Sequence, residues 1–175
     1  MTADWGQTSF TSYFAARRDH VRRIAYLICG DWDRADDLAQ IAFLKLYRAW
    51  DSIRDRAALD AYVRSCLVRA AVDESRRPWR REHVTEILPE NAVSEAELGD
   101  LVADRQLFRK ALESVPSGQR AVLVLRYYEG LDVAATAAAL GCSEGNVKSQ
   151  TSRGLAALRV AVEGLGVTRG GRHDG

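Results

Sequence analysis

The chain has 175 residues, 47% of them hydrophobic, which suffices for the core of one ordinary domain or two small ones and excludes long-range disorder as its main character. The formal charge of +1, from 25 Lys and Arg against 24 Asp and Glu, taken alone argues against a nucleic-acid binder. Its distribution argues the reverse: residues 1–81 carry 15 basic and 11 acidic side chains, residues 82–104 none and seven, and residues 105–175 ten and six.

Helical periodicity dominates and no stretch alternates with period two, so the expected fold class is all-α. From Phe10 to Ile28 the apolar positions Tyr13, Phe14, Val21, Ile24, Ala25 and Ile28 recur at three- and four-residue spacing, and Gly30 stops the segment as a C-cap glycine does. Asp33 or Asp36 is placed to cap a second helix reaching about Trp50, with Ala39, Phe43, Leu46 and Trp50 on one stripe and Leu38, Ile41 and Lys45 on another face. Two apolar faces imply two contacts. A polar loop follows from Asp51 to Arg56, and a third helix is expected from about Ala58 to Trp79, where Pro78 can stop it.

Residues 82–103 contain no Lys or Arg and are interrupted by Pro89, which makes them the candidate linker between a first unit over 8–81 and a second over 104–163. Helical pattern resumes near Asp104, breaks at Pro116-Ser117-Gly118 and continues to Gly130, before two short helices over about Val133–Leu140 and Ser143–Val162. The tail, 164–175, holds five glycines and is expected to fray.

Between Val133 and Arg153 the spacing is that of a helix-turn-helix. Ala137 allows two helices to cross closely, Gly141 is free to take a positive φ, Ser143 can cap the second helix, and Val147 can pin it. The second helix then carries Asn146, Lys148, Ser149 and Arg153, with Arg159 further along, types suited to base edges and phosphates. The competing reading is an αα-hairpin that binds nothing. A second constellation, Arg64, Arg69, Arg76, Arg77, Arg80 and Arg81 with Tyr62 and Trp79, offers cations to a phosphate backbone and rings to unstacked bases, although such runs often form only a solvated helix face.

Catalytic patterns are missing from the sequence: His20, His83 and His173 are isolated, no Ser or Cys has a nucleophile context, and no glycine loop can cradle phosphate. The reading is a non-enzyme without cofactor or metal. Cys29, Cys66 and Cys142 fit neither a zinc knuckle nor a disulfide framework, and with no secretory leader pattern or membrane-length apolar run a cytoplasmic chain is expected.

The run Asp36-Asp37-Leu38-Ala39-Gln40-Ile41-Ala42-Phe43-Leu44-Lys45-Leu46-Tyr47-Arg48-Ala49-Trp50, the pairs Val72-Asp73 and Arg76-Arg77, and Gly145-Asn146-Val147-Lys148-Ser149 followed by Arg153 resemble the extracytoplasmic-function (group IV) sigma-70 factors. Ala25-Tyr26-Leu27, Gly30-Asp31 and Tyr62-Val63-Arg64 are similar to their actinobacterial sigma-E branch. The resemblance spans about residues 8–162 and implies two small helical domains, sigma-2 and sigma-4, on a flexible acidic linker. It implies that Asp37, Leu38, Gln40 and Ile41 dock on the β′ coiled coil of core RNA polymerase. Ile53, Arg54, Tyr62, Arg64 and Arg69 would capture the melted -10 element, with Arg76, Arg77, Arg80 and Arg81 on adjacent phosphates. Sigma-4 would rest on the β flap and read the -35 element of promoter DNA through Asn146, Lys148, Ser149 and Arg153. An anti-sigma factor is a candidate further partner, and a stand-alone helix-turn-helix regulator acting without polymerase is the alternative.

Several positions depart from that family: Arg69 replaces a usual Asn, Thr136 an Ile, Asn146 a Thr and Thr151 a Leu. Two absent apolar groups, each worth about 1.5–3 kcal/mol when buried, predict a looser sigma-4. The acidic linker is further expected to lie against the basic faces of the free chain, so that neutralising Glu86, Glu90, Glu95 and Glu97 raises DNA binding.

Overall fold

The structure, a computed structural model, describes residues 9–75 and 94–166, which form helices joined by turns with no strand among them. Helix α1, Phe10–Cys29, begins at Ser9, whose hydroxyl accepts from the Ser12 amide, and ends at Gly30 with φ 78°. Only Gly30 and Asp31 separate it from α2, Trp32–Ala49, so the cap is Asp31, which accepts from the amides of Asp33 and Arg34. Asp33 and Asp36 are therefore not the cap. Asp36 instead pairs with Arg22 of α1. Two short 3-10 turns, Trp50–Ser52 and Arg56–Ala58, lead to α3, Leu59–Ser75, and the expected end of that helix at Trp79 lies outside the described residues. The three helices enclose Tyr13, Ile24, Ile28, Leu38, Leu46, Leu59 and Leu67.

Leu38 is 2% exposed, so it belongs to the core stripe with Ala35, Ala39, Ala42, Phe43 and Leu46 rather than to a second face with Ile41 and Lys45. The packing of α2 against both α1 and α3 decides this, because a position at the edge of an apolar stripe is buried or open according to which neighbours reach it.

Part of the expected linker is a helix. Residues 95–103 form α4, Glu95–Ala103, started by a reciprocal capping box between Ser94 and Glu97. Its Leu98 and Leu101 are buried, and this apolar pair outweighs the acidic composition of the segment. Helices α5, Arg105–Glu113, and α6, Ser117–Leu123, follow, and α6 widens into a π-turn over Val124–Tyr128 that ends in the Glu129 amide donating to the Val124 carbonyl. Helices α7, Val133–Leu140, and α8, Glu144–Gly164, complete the chain. Gly154 of α8 sits where a Cβ would come within 3.1 Å of the buried Leu123 side chain, so a larger residue there would require Leu123 to shift by a few tenths of an ångström.

The two helical groups do not stand apart: one contiguous hydrophobic cluster runs from Tyr13 and Leu46 through Ile28 to Phe108, Leu123 and Leu158. Among the described residues no helix is long and apolar enough to cross a membrane.

Candidate nucleic-acid interface

Val147 of α8, fully buried, packs with Ala137 of α7 and with Val122 of α6. Gly141 takes φ 67° at the turn, and the Ser143 hydroxyl accepts from the Asn146 amide at 3.0 Å to start α8. These are the helix crossing, turn and cap expected of a helix-turn-helix. Asn146, Lys148, Ser149 and Arg153 all lie exposed on the first turns of α8. Arg159 does not join them: it is 9% exposed and pairs with Glu97 of α4, Nη1 to Oε1 at 3.2 Å. That hydrogen bond, with the Ser94 amide, holds the Glu97 carboxyl down at about 2. Glu97 thus ties α4 to α8.

Thr136 and Thr151 are buried, but their hydroxyls donate to the carbonyls of Asp132 and Val147 at 2.8 and 2.7 Å. A hydroxyl folded back on its own helix leaves no unpaired polar atom, so the departures cost packing area and not an orphaned donor.

On the first unit, Arg54 is exposed and Ile53 is half-buried in the turn after α2. That turn is fixed by a residue the sequence reading passed over: Arg56 donates to the Trp50 carbonyl at 3.2 Å while its guanidinium lies 4.2 Å from the Trp50 ring centroid. Below it Tyr13, buried, donates to Asp60 at 2.7 Å, and burial followed by this hydrogen bond raises its pKa far above the ordinary value. Tyr62 is half-buried beside Cys66, and desolvation raises both their pKa values. Arg64 and Arg69 point from α3 toward the second unit, Arg64 to Glu129 and Arg69 to the end of α7. Arg76, Arg77 and Arg80 lie outside the described residues, as does Arg81.

Helix α2 keeps an open outer face. Asp37, Gln40 and Ile41 are exposed, whereas Leu38 is in the core and can only position them. Leu44 at 50% and Tyr47 at 62% exposure extend the patch, and the three- and four-residue spacing from Ile41 and Gln40 was the available signal for them. Among the described residues no group of His, Cys, Asp and Glu could hold a metal ion, and the three cysteines are free.

Two family profiles match the chain: sigma-70 region 2 over residues 13–81 and sigma-70 region 4 over residues 105–158. The RNA polymerase sigma-E factor of Streptomyces avermitilis is 36% identical over 88% of this chain and 85% of its own, and that of Streptomyces coelicolor 37% identical over 86% and 84%. The ECF RNA polymerase sigma factor SigL of Mycobacterium tuberculosis is 31% identical over 84% and 85%. The sigma factor RpoE of Bartonella quintana, solved with the anti-sigma factor NepR, shares the fold at a TM-score of 0.63 with 22% identity, over 91% of this chain and 98% of its own. With both sigma-70 region profiles matched and relatives of this kind along nearly its whole length, the chain belongs to the ECF RNA polymerase sigma factors.

Proposed function

We propose that the chain acts as a non-enzymatic specificity subunit in the cytoplasm, binding core RNA polymerase, recognising -35 and -10 elements and helping to melt the latter. The carrying observation is a conjunction in one chain: a helix-turn-helix presenting Asn146, Lys148, Ser149 and Arg153, and a second helical group whose α2 leaves Ile41, Leu44 and Tyr47 uncovered. A stand-alone regulator needs the first and has no use for the second, nor does it account for the region 2 match.

On this reading α8 enters the major groove at -35, and each good base contact contributes about 1–3 kcal/mol. Asp37, Gln40 and Ile41, supported by Leu38, meet the β′ coiled coil, and α5 with α6 rests on the β flap. Ile53, Arg54, Tyr62, Arg64 and Arg69 receive the unpaired -10 strand, with Arg76, Arg77 and Arg80 on its phosphates. Unstacking costs a few kcal/mol per step, and stacking on rings with cationic contacts offsets it. Tethering two modest readers raises the local concentration of the second once the first is bound. An anti-sigma factor, the kind of partner carried by the Bartonella quintana neighbour, would act by covering these faces.

Run-off transcription with core polymerase and a promoter library tests the reading. Promoter-directed transcripts are expected with the wild-type chain and not with a Lys148→Ala, Arg153→Ala double variant. Failure of the wild-type chain to join core polymerase would overturn it.

A further inference from the structure

Both ends of the loop between α2 and α3 are held by one residue of α1. The Tyr13 ring centroid lies 6.0 Å from that of Trp50 at the end of α2, and the Tyr13 hydroxyl donates to Asp60 in the first turn of α3. Arg17 pairs with the same Asp60 carboxylate at 3.1 Å, and Phe10 meets the Trp50 ring edge-on at 5.5 Å. Inside the loop the Ile53 amide donates to the Ala49 and Trp50 carbonyls, and the Ser52 hydroxyl donates to the Ala49 carbonyl at 2.7 Å. The Asp55 carboxylate turns back to accept from the Ala57 amide at 3.0 Å. Anchored at both ends and bonded within, the loop holds its side chains at fixed positions.

Arg56 stands apart from four arginines of the same unit, Arg17, Arg22, Arg34 and Arg64, each of which faces a carboxylate. It is half-buried, and among the described residues its contacts are the Trp50 carbonyl, to which Nη1 donates at 3.2 Å, and the Trp50 ring, 4.2 Å from the guanidinium carbon. A guanidinium carries five N–H groups. Nε and Nη2 of Arg56 make no hydrogen bond among the described residues, and neither is a buried atom lacking a partner, so both reach solvent. These two nitrogens form the edge of the fork that donates side by side to two oxygens of an anion. The ring and the carbonyl already fix that edge, so seating an anion on it costs little further side-chain ordering.

We propose that Arg56 is a phosphate-binding residue for the unpaired -10 strand, an assignment that rests on the sigma-factor reading above: stacked on Trp50, it donates from Nε and Nη2 to a phosphate of the strand that Ile53 and Arg54 receive. A phosphate fits better than a base, because the ring on which a base would stack is taken by the guanidinium, whereas an anion needs only the open edge. Arg54, exposed two residues earlier on the same loop, adds a second cation beside it.

The test uses holoenzyme assembled from core polymerase and the full-length chain. Its probe is a fork-junction DNA, single-stranded over the non-template -10 element, built on a promoter that the wild-type holoenzyme transcribes. Arg56→Ala is expected to weaken binding of this DNA by about tenfold at low salt. It should also lower the slope of log K against log salt by about 0.7, the value for one phosphate on a single strand. Arg56→Lys keeps the charge and should keep the slope, with part of the affinity lost because an ammonium cannot fork. Trp50→Leu removes the stack alone, so the slope should stay and affinity fall by less than in Arg56→Ala. Single-base changes across the -10 strand should weaken wild type and Arg56→Ala by equal factors, since a phosphate contact carries no sequence information.

An unchanged slope in Arg56→Ala would overturn the assignment even if affinity fell, because a residue that only braces the loop releases no counterions. Loss of base discrimination in Arg56→Ala at unchanged slope would replace it with a positioning role. If Arg56→Ala melted at a lower temperature, Arg56→Gln, which keeps an N–H donor and removes the charge, would decide by the slope. Finding no promoter that the wild-type holoenzyme transcribes defeats the sigma-factor reading, whereas normal wild-type transcription with unchanged slopes in Arg56→Ala and Arg56→Gln defeats the Arg56 contact alone.

Discussion

Arg69 closes the end of α7 by donating to the Ala139 carbonyl at 3.2 Å, across a separation of 70 residues. Because Nη2 reaches Ala138 at the same time, the planar fork serves two orphan carbonyls at once. Arg69→Ala is expected to lower the stability of the free chain by about 1–2 kcal/mol, since hydrogen bonds to a charged group outweigh neutral ones but this one is partly hydrated. Arg69→Lys should recover less than half of that, because an ammonium cannot fork. Urea unfolding monitored by circular dichroism measures both.

The exposed side chains of α8 predict a change in affinity without a change in stability. Lys148→Ala and Arg153→Ala should each weaken binding to a cognate -35 duplex by about 1–3 kcal/mol where they contact bases. A side chain that contacts phosphate alone would instead lower the slope of log K against log salt by about 0.9. Fluorescence anisotropy over a salt series separates the two, and thermal melting should stay within a degree or so of wild type.

Thr136 and Thr151 return their hydroxyl protons to their own helix. Replacing each with Val keeps the shape and removes a back-bonded hydroxyl from an apolar site, so the double variant should gain up to about 1 kcal/mol. Calorimetry reads this as a higher melting temperature. A loss would show that these hydroxyls do more than satisfy themselves.

Ile41 and Leu44 leave apolar area uncovered on α2, and neither supports the core. Ile41→Glu with Leu44→Glu should leave folding intact and weaken binding to core polymerase by at least about tenfold, since about 0.8 kcal/mol is lost per CH₂ no longer buried. Competition against the wild-type factor for core polymerase tests it.

Glu97 predicts an acid limb in the stability curve. Its carboxyl is held at about 2 by Arg159 and Ser94, below the ordinary 4.5, so the folded state binds this proton less readily than the unfolded chain does. The stabilisation is complete above pH 4.5 and disappears as pH falls towards 2. Glu97→Gln should flatten that limb and leave the slope near neutrality unchanged. Glu129 is shifted in the same direction: burial pushes it up, but the hydrogen bond and charge of His20 and then Arg64 hold it below its usual range. Combining Glu97→Gln with Glu129→Gln should therefore flatten the limb further.

Much of this protein is written in near neighbours along the chain. Helix α1 and its glycine stop, the helix-turn-helix with Gly141, Ser143 and Val147, and the exposed polar side chains at the start of α8 all follow from side chains within four residues of one another, where helix geometry fixes who faces whom. Boundaries failed where two local signals competed. Asp31 capped α2 ahead of Asp33 and Asp36 because the connection is only two residues long, and α4 formed inside an acidic stretch because Leu98 and Leu101 had a core to enter.

What only the tertiary structure decided is which charges are free. Composition divides the chain into two basic units and an acidic connector, and it suggests that the connector neutralises the units. Of that connector, Glu97 in fact serves Arg159, while Arg64 and Arg69 are held by Glu129 and by the end of α7. Helix-end carbonyls carry no formal charge and leave no mark in a residue count. They become acceptors only when a fold brings a helix terminus against a distant arginine, a pairing that sequence separation hides.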